Sequence, residues 1–195
     1  MSYRRFLARS RRKLRQLMND ERGISAVEFA MLLPLMVTLY LGGVEVSEAV
    51  AADRKTTIAA RTVGDLVAQT TNVTTDDVDN IFAAAVAIIA PYNADNLKLT
   101  VSSIKIDAQG VAKIAWSDKK NGGAATTERK PGDTVILNDA LNTKGTWLIW
   151  AEAKYEYTPA IGYVITKMIP LTDQIYMRPR QSDCVTRTGV VTTCS

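Results

Sequence analysis

Gly23, Ile24, Glu28 and Phe29 are the residues whose types and spacing suggest chemistry. In the string GISAVEF the carboxylate of Glu28 follows Gly23 by five positions. A peptidase cutting the bond after Gly23 would create an ammonium group at Ile24. On a helix that ammonium and the Glu28 carboxylate fall on one face, a single turn apart. The plainer alternative is an interfacial carboxylate, tolerated because its side chain reaches headgroups or water. Other chemistry is poorly represented. The chain has no His, which removes Ser-His-Asp and Cys-His nucleophile systems and the common zinc hydrolases. No Gly-x-x-x-x-Gly-Lys-Ser/Thr loop is present to cradle a nucleotide's phosphates. The acidic run at Asp76, Asp77 and Asp79 lacks the Gly and closing Glu of a calcium loop, and reads better as the acidic first turn of a helix. No catalytic group, metal or cofactor is expected. The Trp and Tyr residues of 147–157 could stack on a sugar ring, but burial in a sheet is the more ordinary use of such aromatics.

The element that must position Glu28 is an apolar run. From Phe29 to Val44 there is no charged residue, and counting from Ala26, with Glu28 as the interruption, the run is 19 residues. A membrane-spanning helix needs about 20 such residues, so residues 26–44 are expected to cross a bilayer, with Phe29, Leu32, Leu33, Pro34, Leu35, Val37, Leu39 and Leu41 facing its interior. Pro34 should kink the helix mildly, since membrane helices tolerate proline. Residues 1–22 hold eight Lys/Arg against Asp20 and Glu21, a net +6, whereas the remaining residues hold sixteen basic and eighteen acidic, a net −2. The basicity of the protein therefore belongs to its leader. Such a leader keeps its end of a single span in the cytoplasm and sends the long C-terminal part across. A nucleic-acid arm is the alternative use of a basic run, but contact with anionic headgroups is sufficient beside a span. Three fates are open to the leader. A secretory signal would be cut near Ala49-Val50-Ala51, yet the apolar region is longer than a signal needs. A lipid anchor would need a Cys near the span, and none is there. Cleavage after Gly23, before the span, would leave the helix attached to the mature chain.

The Gly-x-x-x-x-Glu-Phe spacing, after a basic leader and before an apolar span, resembles the processing motif of type IV prepilins. The fuller string RGISAVEFAMLLPLMVTLYLGGVE resembles the TadE-like (TadE/TadG) minor pilins of the tight-adherence, or Flp, pilus system. The ending YEYTPAIGYVITKMIPLTDQIYMRPR is similar to that family's closing strands. The resemblance implies removal of residues 1–23 by a prepilin peptidase, with Gly23, Ile24, Glu28 and Phe29 as the processing residues. It implies that Glu28 pairs with the N-terminal amine of a neighbouring subunit. It further implies a structural role in pilus assembly at a bacterial inner membrane, beside other Tad/Flp pilins and inner-membrane assembly proteins, without nucleic acid or a small-molecule substrate. An uncut, single-span periplasmic binding protein is the competing expectation, and a membrane-anchored enzyme using carboxylates or serine is a third.

Beyond the span the helical period continues, so one helix is expected over residues 24–69. Its outer half should be amphipathic, with Val46, Ala49, Val50, Ile58, Val63, Leu66 and Val67 buried and Glu45 and Glu48 on other faces. Gly42-Gly43 is expected to bend it. Residues 70–195 form the remaining domain, large enough to bury its own core. Thr74 or Thr75 should cap a second helix with Ile81, Phe82, Ala85, Val86, Ile88 and Ile89 inward. Strands are expected at 97–106 with a bulge at Ser102-Ser103, at 111–117, at 147–157 and at 174–178. Residues 118–133 should be an exposed loop, and residues 161–169 a short helix or an irregular apolar segment stopped by Pro170. Cys184 and Cys194 are the only cysteines. In the oxidising compartment that the topology implies they should form a disulfide. The expected class is α+β, a pilin-like long helix on a small antiparallel sheet.

Overall fold

The computed structural model describes residues 22–121, 129–190 and Cys194 of the 195. The basic leader up to Glu21 and residues 122–128 of the expected loop lie outside the described residues.

Helix α1 runs over Arg22–Ala68, 47 residues without interruption, a rod of about 70 Å at 1.5 Å per residue. It continues through Pro34 and through Gly42-Gly43, so neither ends the helix. Gly42 has a different use: a Cβ there would stand 3.3 Å from Cγ2 of Val164. At its end the N–H groups of Gln69 and Thr70 serve the carbonyls of Asp65, Leu66 and Val67, and the N–H of the distant Arg180 donates to Ala68 O at 2.8 Å. Such capping matters because the last turn of a helix has no internal donors.

A two-residue strand β1 (Asn72–Val73) leads into helix α2 (Thr75–Ile89). Thr74 is the N-cap, and the cap is reciprocal. Its hydroxyl accepts from the N–H of Asp77 at 3.2 Å, while the Asp77 carboxylate accepts from the N–H of Thr74 at 2.9 Å. This is the arrangement that silences two orphan donors at once. Val78, Ile81, Phe82, Ala85 and Ile89 are its buried face.

A 3-10 turn at Ala94–Asn96 then opens the sheet. Strands β2 (Leu97–Ile106), β3 (Ala112–Asn121), β4 (Thr134–Val135), β5 (Trp147–Tyr157) and β6 (Ile169–Met177) form one curled antiparallel sheet in the order β4-β3-β2-β5-β6. The register between β2 and β3 slips where Ser103 faces Trp116 and Ile104 faces Ile114. The extra residue is therefore Ala115 of β3 and not one of the Ser102-Ser103 pair, where the bulge is expected. Strand β2 itself pairs with β5 without a break. Its change of phase arises because Leu97, Leu99 and Val101 enter one apolar cluster while Ile104 and Ile106 enter another. Two further expectations need correction here. Strand β3 continues past Ser117 to Asn121, so residues 118–121 belong to the ladder and not to a loop; Val101 faces Asp118 and Lys98 faces Asn121. Strand β6 starts at Ile169 and contains Pro170, which is tolerated because a proline near the start of an edge strand removes little from a ladder. Residues 161–168 are neither helix nor strand. Strand β7 (Thr186–Arg187) lies parallel to β1.

The α+β class is thus a long helix and a short one laid on one face of a five-stranded sheet. The main core joins Ala52, Ala59, Ala60, Val63 and Val67 of α1 to Phe82 and Ile89 of α2 and to Leu99, Val101, Trp116 and Ile149 of the sheet. A smaller cluster on the other face gathers Ile104, Ile106, Ala112, Ile114 and Leu148 beneath Val135, Leu137 and Leu141. The buried stripe of α1 matches the expected one at Val63 and Val67, with Ala49 and Leu66 partly buried, and differs elsewhere. Val46, Val50 and Ile58 are exposed, and the inward positions are Glu45, Ala52, Thr56, Ala59, Ala60, Val63 and Val67. Small side chains face the sheet because the backbone approaches it closely: a Cβ on Gly64 would meet Ala151 Cβ and Ile175 Cγ2 at 3.3 Å each.

Candidate functional site

The first turns of α1 carry Gly23, Ile24, Glu28 and Phe29, all exposed. Nothing approaches within 4 Å of the point where a Cβ on Gly23 would sit. Ile24 and Glu28 are four positions apart on one continuous helix, so they share a face. Farther along, Phe29, Leu32, Leu33, Leu35, Val37 and Leu39 are exposed, as is Pro34, and only Leu41 is half-buried. The most apolar window of this helix is 0% buried within the molecule. A water-facing helix does not display such a surface. The described residues do not cover these side chains, and by length and composition the helix is a candidate membrane anchor.

Where the exposed half of α1 meets the domain sits a carboxylate that sequence patterning misplaced. Glu45 is fully buried. Its Oε1 accepts from the N–H of Tyr163 at 2.6 Å, and its Oε2 accepts from Val164 at 3.0 Å and Ile165 at 2.7 Å. The Ile165 N–H first, with those of Tyr163 and Val164, holds the Glu45 carboxyl below the usual carboxylate range against the opposing effect of burial. Three convergent amides therefore make burial of the charge tolerable. The same carboxylate satisfies three amides of a segment with no secondary structure. Beside it the Tyr92 hydroxyl donates to Glu48 O at 3.1 Å, and its ring meets Tyr157 edge-on at 6.1 Å. One sequence signal pointed to this junction: a Glu directly after an apolar span, in a chain whose second apolar segment, 161–169, has no strand or helix period.

The far end of the domain is tied together by basic residues. Arg180 reaches Asp65 of α1 at 2.6 Å. Arg187 meets Asp118 of β3 at 2.7 Å, and the Trp116 indole donates to Val185 O at 2.7 Å. Cys184 and Cys194 are joined in a disulfide with Cα atoms 5.6 Å apart. The aromatics of β5 divide. Trp147, Tyr155 and Tyr157 are buried. Trp150 is stacked on Tyr176 at 5.4 Å and overlaid by the Arg129 guanidinium at 3.6 Å, so its ring is already engaged by protein groups.

Set against known families, residues 23–65 match the family described as TadE-like protein. This segment is similar to the TadE-like family. No curated protein and no solved structure matches the chain. The TadE-like segment begins at Gly23, takes in the whole exposed apolar half of α1 and Glu45, and ends at Asp65, the partner of Arg180. The sheet lies outside it.

Proposed function

We propose that this protein is a structural minor pilin acting in assembly of Tad/Flp adhesion pili. A prepilin peptidase cuts the bond after Gly23. The new chain, starting at Ile24, stays in the bacterial inner membrane through residues 26–44, with its N-terminus on the cytoplasmic side and residues 70–195 in the periplasm. Glu28 then meets the terminal ammonium of a neighbouring pilin. Two opposite charges among packed apolar helices are costly apart and compatible together, and this sets the axial register of the contact.

The observation that carries this reading is the TadE-like match itself: it starts at Gly23 and extends over a helix half that none of the described residues covers. The family points to the Tad pilus system. The leader's net charge of +6 supports the orientation by the positive-inside rule.

Immunoblots of cells with and without the prepilin peptidase test the proposal. Wild-type protein should shift to a smaller mature form only when the peptidase is present, and Gly23→Val should stay at precursor size while remaining in the membrane. Glu28→Ala should insert normally and fail to support piliation. Normal maturation of Gly23→Val would contradict the reading.

A further inference from the structure

The segment at 161–168 has a composition unlike that of a periplasmic loop. Ile161, Tyr163, Val164 and Met168 are 49%, 58%, 48% and 56% exposed, with Lys167 among them. Its position is fixed at two points. Glu45 holds the amides of Tyr163, Val164 and Ile165, and Val164 lies against Gly42. We propose that residues 161–168 form an apolar wedge that enters the outer leaflet beside the end of the anchor helix, with lipid as its occupant.

The inference rests on residues 26–44 being the membrane span, and it follows from depth. Nineteen helical residues cover about 28 Å, against a hydrocarbon core of about 30 Å. Gly42 lies sixteen residues beyond Ala26, or roughly 24 Å along the axis, close to the outer edge of that core. Whatever surrounds Gly42 on that side of the helix surrounds Val164 as well. Irregular backbone is not tolerated against lipid in the hydrocarbon region, so the wedge lies at the outer boundary of that core. Glu45 satisfies the three consecutive amides nearest Gly42, and the other polar groups of the segment face the headgroups. The charge of Glu45, just past the span, is answered by the same three bonds. The remaining side chains suit an interface. Tyr163, exposed beside the end of the span, suits the aromatic girdle found at headgroup level, and the Lys167 stem is long enough to carry its ammonium to the phosphates. One carboxylate thus clips a second hydrophobic contact to the anchor and limits the tilt of the domain over the bilayer.

Site-directed spin labelling of the full chain in phosphatidylethanolamine–phosphatidylglycerol vesicles tests this. The native cysteines are joined to each other, so a cysteine introduced at Tyr163 or Met168 takes the label alone. Labels at Leu35 and at the exposed Asp139 report lipid and water respectively. The wedge predicts that labels at 163 and 168 collide several-fold more with oxygen than with a water-soluble nickel chelate, as at Leu35 and opposite to Asp139. Glu45→Ala should reverse that preference at 168 while leaving Leu35 unchanged. A lipid signature at Leu35 with a water signature at 163 and 168 would overturn the wedge and leave the anchor intact. Protection from both reagents at 163 would overturn it in favour of contact with a second copy of the chain. A water signature at Leu35 would remove the anchor, and the wedge with it.

Discussion

The two halves of helix α1 belong to one unbroken rod and are built for different solvents. Residues 24–40 show Leu, Met, Phe and Val outward with no protein against them, whereas the half from Glu45 to Ala68 buries Ala, Thr, Val, Gly and a carboxylate. By hydropathy alone the first half would be core and the second surface. The reversal shows that the hydrophobic effect acts on each half through a different partner. In the second half, small residues gain packing by letting the sheet come close. In the first, large residues lose nothing by exposure if the medium is hydrocarbon.

Each way of breaking this division has its own signature. The largest effect on the domain is expected from Phe82→Ala. It should lower unfolding stability by about 3–5 kcal/mol, as for other truncated core aromatics, measured by urea denaturation in detergent, with membrane retention unchanged. Leu35→Arg should do the converse. A charge at the centre of a span costs about 2.5–3.5 kcal/mol on insertion scales, so the inserted fraction should drop while the domain's denaturation midpoint stays put. If Leu35→Arg destabilised the domain as much as Phe82→Ala, the halves would not be separate. Gly64→Val comes next. The added methyls would press on Ala151 and Ile175, an overpacking cost of about 1–3 kcal/mol that the same denaturation experiment reads.

The smallest effect concerns the cap of α2 and depends on pH. The backbone N–H and hydroxyl of Thr74 hold the Asp77 carboxyl below its ordinary value of 3.8. The native state therefore binds a proton less readily than the unfolded chain. The stabilisation is fully present above about pH 3.8 and is lost as pH falls through the lower native value. Thr74→Ala keeps the backbone N–H that lowers Asp77 most and loses the hydroxyl, both as donor to the carboxylate and as acceptor from the Asp77 N–H. It should be less stable than wild type near neutrality, and the gap should narrow without closing in acid.

The sequence made some of this plain for identifiable reasons. The anchor half was legible because nineteen nearly uncharged residues after a strongly basic stretch have few other uses. The cap at Thr74 and the strand β5 were legible because local chemistry decides them. The change of phase in β2 reads as a bulge of that strand, whereas it marks a change of apolar cluster. The buried face of α1 was legible only in part, at Val63 and Val67. Alanine and glycine carry weak hydropathy, and the amides that make Glu45 a core residue lie 118 to 120 positions away. The extension of β3 through Asp118, Lys119 and Lys120 was hidden for a similar reason: its polar residues are strand because β2 and Arg187 hold them there. At the candidate site Gly23 and Glu28 were visible from spacing, and the junction at Glu45 was not.

The account depends most on the exposed half of α1 remaining in the finished molecule, with Ile24 as its first residue. Intact-mass spectrometry with N-terminal sequencing of the protein extracted from membranes tests this directly. The predicted result is a chain beginning at Ile24, recovered in the membrane fraction. A soluble product beginning near Ala52 would mean that the apolar half is a discarded signal, and would contradict the account.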